Sequence, residues 1–173
     1  MAEASEGEGA PHFDVHGRAL MVDVGGKAAT ERVAVARGAL TLGPEAFAAV
    51  AAGTAGKGDV LGVARVAGIL AAKATSTLIP LCHPVPLHSV EVRFRLEAPR
   101  LLAEATARCV GPTGVEMEAL CAVSAALLTA YDMTKAYGRG HVLSEIALIS
   151  KSGGRSGTWV REGAASWPEA ETR

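Results

Sequence analysis

Aromatic side chains are scarce in this chain: two Trp, two Tyr and three Phe, or 4% of 173 residues. Hydrophobic residues still reach 49%. The core must therefore be built from Ala, Val, Leu and Gly, and such a core packs by close approach of backbones, helices lying tightly on a sheet. Charge of one sign is also lacking. A net charge of −1 supplies no global basic field of the kind that holds nucleic acid. The three cysteines, Cys82, Cys109 and Cys121, are odd in number, widely spaced and without a CxxC pair. That argues against a zinc knot and against a disulfide framework. The longest lipid-like run, residues 119–131, is too short to span a bilayer and has acids on both flanks. The first residues carry no basic segment leading into an apolar run, so no signal peptide is expected. The expectation is a soluble, cytoplasmic protein with no membrane partner.

The length suits one domain with a substantial core. Residues 1–12 and 162–173 are rich in Gly, Ala and Glu and are expected to be disordered tails around a single domain at 13–161. Alternation of Leu20, Val22 and Val24, and of Val33 and Val35, predicts two strands. Pro44 suits the first turn of a short helix ending near Gly53. A second helix is expected from Gly58 and Asp59 to about Thr77, with Asp59 as its cap. Pro80, Pro84 and Pro86 force a stiff extended segment. Val90, Val92, Phe94 and Leu96 then alternate with Glu91, Arg93 and Arg95, and Ala98, Pro99 and Arg100 turn this strand into a partner over residues 101–110. A long helix follows, closing near Gly138, and a last strand is expected over 142–149. The order predicts an α+β, ferredoxin-like split β-α-β fold: an antiparallel sheet with helices on one face and an additional N-terminal strand.

Several side chains are candidates for chemistry. Lys57 immediately precedes a helix start, where bare N–H groups, glycines and a cation together suit an anion. A solvated loop lysine is the plainer account. His83 is held in pre-proline geometry and belongs to a residue type that titrates near neutrality, although taken alone a satisfied structural histidine is the plainer account. Adjacent residues of an extended chain face opposite ways, so Cys82 reads as a packing residue rather than the partner of His83 in a nucleophilic pair. Thr113 and Glu116 fit a capping box. Glu116 and Glu118 stand about 200° apart around a helix, which leaves Glu118 as the better candidate for substrate contact. Asp132 and Lys135 are spaced i, i+3, either as a surface ion pair or as an acid/base couple. The K-S-G-G-R-S-G run at 151–157 offers backbone N–H groups and two cations without the order of a Walker motif.

Glu118 and Asp132 lie fourteen residues apart on one helix, or about 21 Å at the usual rise. No small substrate spans that distance. Both helix ends can serve one pocket only if different subunits supply them.

Six motifs occur in order: M-V-D-V at 21–24, K-G-D-V at 57–60, L-I-P-L-C-H-P at 78–84, T-G-V-E-M-E-A-L at 113–120, Y-D-M-T-K-A at 131–136, and the glycine-rich run at 151–157. With these motifs the chain closely resembles the cyclic pyranopterin monophosphate synthase family, the molybdenum-cofactor biosynthesis protein C proteins, over about residues 20–160. The resemblance implies a lyase that acts on a cyclised GTP derivative and releases pyrophosphate. It also implies a ferredoxin-like fold and a homohexamer built as a trimer of dimers, with sites at the dimer interface. Transient contact with the preceding radical enzyme of the pathway would fit that role. By the resemblance Leu81, Cys82, His83, Met117 and Glu118 contact substrate, Asp132 is the catalytic acid/base, and Lys57 and Lys135 are essential. Glu116 matches a retained glutamate, which joins the substrate-binding group beside its capping account. Thr134 departs from a cysteine expected in some relatives. Lys73 and Lys151 are further candidates for the triphosphate. Proton transfers at several atoms require neither flavin nor nicotinamide, no dinucleotide fingerprint is present, and no residue is assigned as a cofactor or metal ligand.

Overall fold

A computed structural model describes residues 16–167. Its elements run β1 (Thr30–Thr41), α1 (Pro44–Ala52), α2 (Val60–Lys73), α3 (Thr75–Leu78), β2 (Leu87–Glu97), β3 (Arg100–Gly111), α4 (Glu116–Thr134), a 3-10 turn (Lys135–Tyr137), β4 (Val142–Ser152) and β5 (Trp159–Val160). The fold is α+β. All strand pairs are antiparallel, in the order β2-β3-β1-β4-β5. β3 therefore sits between β1 and β2, which splits the β-α-β unit.

Small residues set the packing distance. The helix-facing side of the sheet carries Ala34, Ala36, Leu40, Ala103, Ala105 and Ala107, all fully buried. A Cβ at Gly38 would lie 2.8 Å from both Leu127 Cδ1 and Val123 Cγ1, so β1 admits α4 only because this residue has none. Within the helix layer, a Cβ at Gly68 would lie 2.9 Å from the Ala122 carbonyl oxygen, which places α2 hard against α4. Phe94, Leu40, Leu101 and Leu127 fill the remaining volume, each contributing about 1.5–3 kcal/mol of burial.

Local signals explain most boundaries. Pro44 opens α1, and Gly53 closes it in the left-handed region at φ 67°. Asp59 caps α2 by accepting the Gly62 N–H at 2.8 Å. The second helix breaks earlier than expected, at Ala74, and restarts as the four-residue α3. There the Thr75 hydroxyl donates to the Ala72 carbonyl at 3.0 Å and competes with the helical ladder.

One expectation of the strand pattern needs correction. Residues 20–24 form no strand. They run along the edge of a cavity, with Val22 buried and its carbonyl accepting a hydrogen bond from His83 Nε2 at 2.7 Å, a partner that replaces a ladder. Val33 and Val35 do lie in β1, where the tightly packed face belongs to Ala34 and Ala36. On the opposite face of the sheet Glu104 is 3% exposed and pairs with Arg37 at 2.6 Å and with Arg93. Arg37 also donates to the Ala165 carbonyl and stacks on Trp167, 5.3 Å from its ring centre, within the segment expected as a C-terminal tail. The tail expected over 1–12, and residues 168–173 of the other, lie outside the described residues.

Candidate active site

Two groups of side chains form at opposite ends of α4. At its N-terminal end lies a cavity of about 290 Å³. Leu81, Cys82 and His83 from the proline-rich segment line it together with Glu116, Met117 and Glu118 from the first turn of α4. Val22, Val24 and Lys27 close a further side.

α4 begins at Glu116 behind Val115, and no side chain caps it. The expected capping box therefore does not form: Val115 occupies the cap position, and Thr113 stands two residues before it. Glu116 folds instead over Gly114, where a Cβ would lie 1.9 Å from Glu116 Oε2. Glu116 and Glu118 share the cavity despite their angular separation, since the cavity covers the open end of the helix rather than one flank. Acidic residues in a first turn also complement the positive end of the helix dipole.

Electrostatics separates the two carboxylates. Glu118 is nearly buried, and loss of solvation, then repulsion from Glu116, push its pKa above the ordinary carboxylate value, although its own backbone N–H opposes this. In its protonated form, favoured by this shift, the carboxyl donates a hydrogen bond as well as accepting one. The Cys82 thiol is likewise pushed up by burial and by Glu118 and Cys121, which keeps it protonated and a poor nucleophile. His83 must carry its hydrogen on Nε2, because the Val22 carbonyl can only accept. Cys82 and His83 both line the cavity, contrary to the alternation expected of an extended pair.

The second group forms at the C-terminal end of α4. Lys135 Nζ lies 2.6 Å from Asp132 Oδ1 across one helical turn. Lys57, from the loop between α1 and α2, lies 3.0 Å from Oδ2 and also donates to the Asp132 carbonyl at 2.9 Å. Hydrogen bonds from Lys135 and Lys57, reinforced by their charges, lower the Asp132 pKa to about 2. The carboxylate is thus always ionised near neutral pH. With two ammonium groups around one carboxylate, the cluster offers a net positive charge to solvent.

Within one chain the two groups stay apart: neither lysine nor Asp132 lines the cavity. Lys73 is an exposed residue ending α2. Lys151 lies at the end of β4, where it donates to the Ser156 hydroxyl. The glycine-rich run folds against Arg32, with Gly153 and Gly154 at φ 97° and 72°. Arg32 in turn donates to the Gly111 and Pro112 carbonyls, 3.2 Å each, in the approach to α4. Sequence reasoning missed Arg32 and Lys27, as well as two residues behind the second group. Tyr137 accepts the Gly56 N–H at 2.9 Å, and the buried His141 bridges the Gly43 N–H and the Thr134 carbonyl, 3.3 Å each. No spacing rule flags either of them. Among the described residues no three His, Cys, Asp or Glu side chains converge as metal ligands do. No helix among them is long and apolar enough to cross a membrane.

Comparison with known proteins gives these two groups a context. The MoaC family model matches residues 21–154. A Novosphingobium aromaticivorans protein named cyclic pyranopterin monophosphate synthase is 57% identical over 148 residues, 86% of this chain and 94% of its own. Proteins of the same name from Thermomicrobium roseum and Pelotomaculum thermopropionicum are 58% and 51% identical, covering 87% and 94% of this chain and 92% and 97% of their own. The chain belongs to the MoaC family.

Proposed function

We propose that this enzyme of molybdenum cofactor biosynthesis is a lyase that converts (8S)-3′,8-cyclo-7,8-dihydroguanosine 5′-triphosphate to cyclic pyranopterin monophosphate. Pyrophosphate leaves, and the chemistry is acid/base catalysis at a site shared by two subunits. The observation that carries this reading is the convergence of Lys57 and Lys135 on Asp132, two cations held by one permanent anion.

The substrate is a polyanion whose cyclic aminal must open and whose α-phosphorus must be attacked by a substrate hydroxyl. That attack forms the cyclic phosphate and breaks the bond to the departing pyrophosphate. Ring opening needs protons delivered and removed, with no electrons transferred. A carboxylate near pKa 2 is too weak a base to collect protons alone. Asp132 therefore aims the two lysines and takes a proton only transiently, while Lys135 and Lys57 donate protons and stabilise phosphate charge. Glu118, uncharged more readily than an ordinary carboxylate, hydrogen-bonds the polar edge of the ring system, and His83 orients the substrate through its free ring nitrogen. Leu81, Cys82, Met117 and Glu116 complete that wall.

The cavity on one protomer, about 290 Å³, falls at the lower bound of about 300–1,000 Å³ for ligand pockets. A second copy supplying the lysine cluster would complete it. In support, α2 exposes Val63, Val66 and Leu70 at i, i+3, i+7 spacing, and α4 exposes Leu128. The wider assembly in this reading is the hexamer, a trimer of dimers in the cytoplasm, served by the radical enzyme that makes the substrate. Pyrophosphate release from the cyclised GTP derivative by purified protein tests the activity. Saturable binding without any product would replace it with a ligand-binding role.

A further inference from the structure

Lys57 stands in a glycine-rich loop anchored by the buried Ala55 and by a turn hydrogen bond from the Gly58 N–H to the Ala55 carbonyl at 2.9 Å. Gly53, Gly56 and Gly58 fall within six residues, and Gly53 and Gly58 adopt φ of 67° and 92°. Such a stretch loses much conformational freedom when ordered. At its tip Lys57 meets the Asp132 carboxylate and carbonyl, but both contacts are open to solvent, where water competes for the ammonium group. A second contact reaches the loop from elsewhere: the Gly56 N–H donates to the Tyr137 hydroxyl at 2.9 Å, one residue before Lys57. Tyr137 lies two residues after Lys135 in the 3-10 turn, and its ring packs against the core. One phenol thus joins the peptide beside one lysine to the turn that carries the other.

We propose that Tyr137 is a positioning residue: by accepting the Gly56 N–H, its hydroxyl holds the α1–α2 loop where Lys57 and Lys135 meet at Asp132. The inference rests on the reading of this cluster as catalytic. It gives the tyrosine a role that no direct contact with substrate requires. Phenylalanine keeps the ring and its packing while removing only the acceptor, so the change separates the hydrogen bond from the fold.

The test is Tyr137→Phe in the full-length protein, read by the kinetics of pyrophosphate release, by Tm, and by NMR titration of the Asp132 carboxyl carbon. The loss of one neutral hydrogen bond should lower kcat about two- to tenfold with KM little changed. The Asp132 midpoint should rise from its value of about 2, in the direction given by Lys57→Ala. In the Lys57→Ala background, Tyr137→Phe should move the midpoint no further. An unchanged midpoint, with or without a lower Tm, would make Tyr137 merely structural and overturn the proposal. A full additional shift in the Lys57→Ala background, or a moved midpoint with wild-type kcat, would overturn it equally. Should the wild-type protein release no pyrophosphate while the midpoint still moves, the positioning stands and the proposed reaction falls.

Discussion

Lys57 donates to both the carboxylate and the backbone carbonyl of Asp132, at 3.0 and 2.9 Å, across 75 positions of sequence. The double contact holds the lysine to the end of α4 rather than to one mobile side chain. It also makes Asp132 the point at which a loop lysine and a helix lysine become one unit.

Asp132→Asn should leave Tm nearly unchanged, since the side chain is exposed and packs against little. Turnover should nonetheless fall about 100-fold or more, the lower range for loss of an acid/base group. Pyrophosphate release measured beside a melting curve checks both halves. Near-normal turnover would remove Asp132 from the mechanism.

The Asp132 titration is itself a prediction. Its folded pKa, about 2, lies below the ordinary 3.8. The group therefore contributes stability that is present above about pH 4 and lost as pH falls towards 2. The contribution is small because water screens the cluster. Lys57→Ala and Lys135→Ala should each raise the midpoint, with the larger rise for Lys135, whose hydrogen bond is the leading cause. Carboxyl-carbon NMR reads this directly.

Gly68→Ala sets two effects against each other. Alanine improves helix propensity by up to about 1 kcal/mol. Its methyl, however, would meet a backbone oxygen of α4 at 2.9 Å, and backbone cannot rotate away. The clash should win, with a net loss of about 1–2 kcal/mol. Chemical denaturation checks the sign.

Glu104→Ala should destabilise more than its sheet position suggests. Removal leaves two guanidinium groups beside a buried site. Arg37 and Arg93 keep some solvent access, so the loss should be about 2–3 kcal/mol rather than the larger cost of a fully buried pair. Glu104→Gln, which retains an acceptor, should recover part of it.

Cys82→Ser should keep turnover, with only a modest change in KM, because the thiol is held protonated by burial and nearby acids. Loss of kcat would restore the nucleophile reading.

Much of the fold was legible in local patterns. The alternation of Val90, Val92, Phe94 and Leu96 marks the buried face of β2, and Pro44, Gly53 and Asp59 mark helix ends, each through one side-chain or backbone constraint. Residues 20–24 misled because alternation requires only one covered side, and a cavity wall covers Val22 as well as a ladder would. In the candidate site, Asp132 and Lys135 meet through helical periodicity, which sequence spacing reveals. Lys57, Tyr137 and Arg32 reach their partners only through the tertiary path of loops, and no local rule encodes that. The two-carboxylate cavity was obscured by an angular argument that holds for a helix flank and fails at its end.

The most direct measurement mixes two impaired variants, Asp132→Asn and Glu118→Ala, and follows pyrophosphate release after subunit exchange. If one pocket draws its lysine cluster and its carboxylate wall from different copies, random pairing should restore about one site in four. Mixed oligomers, verified by native mass spectrometry, that stay inactive would contradict the shared site.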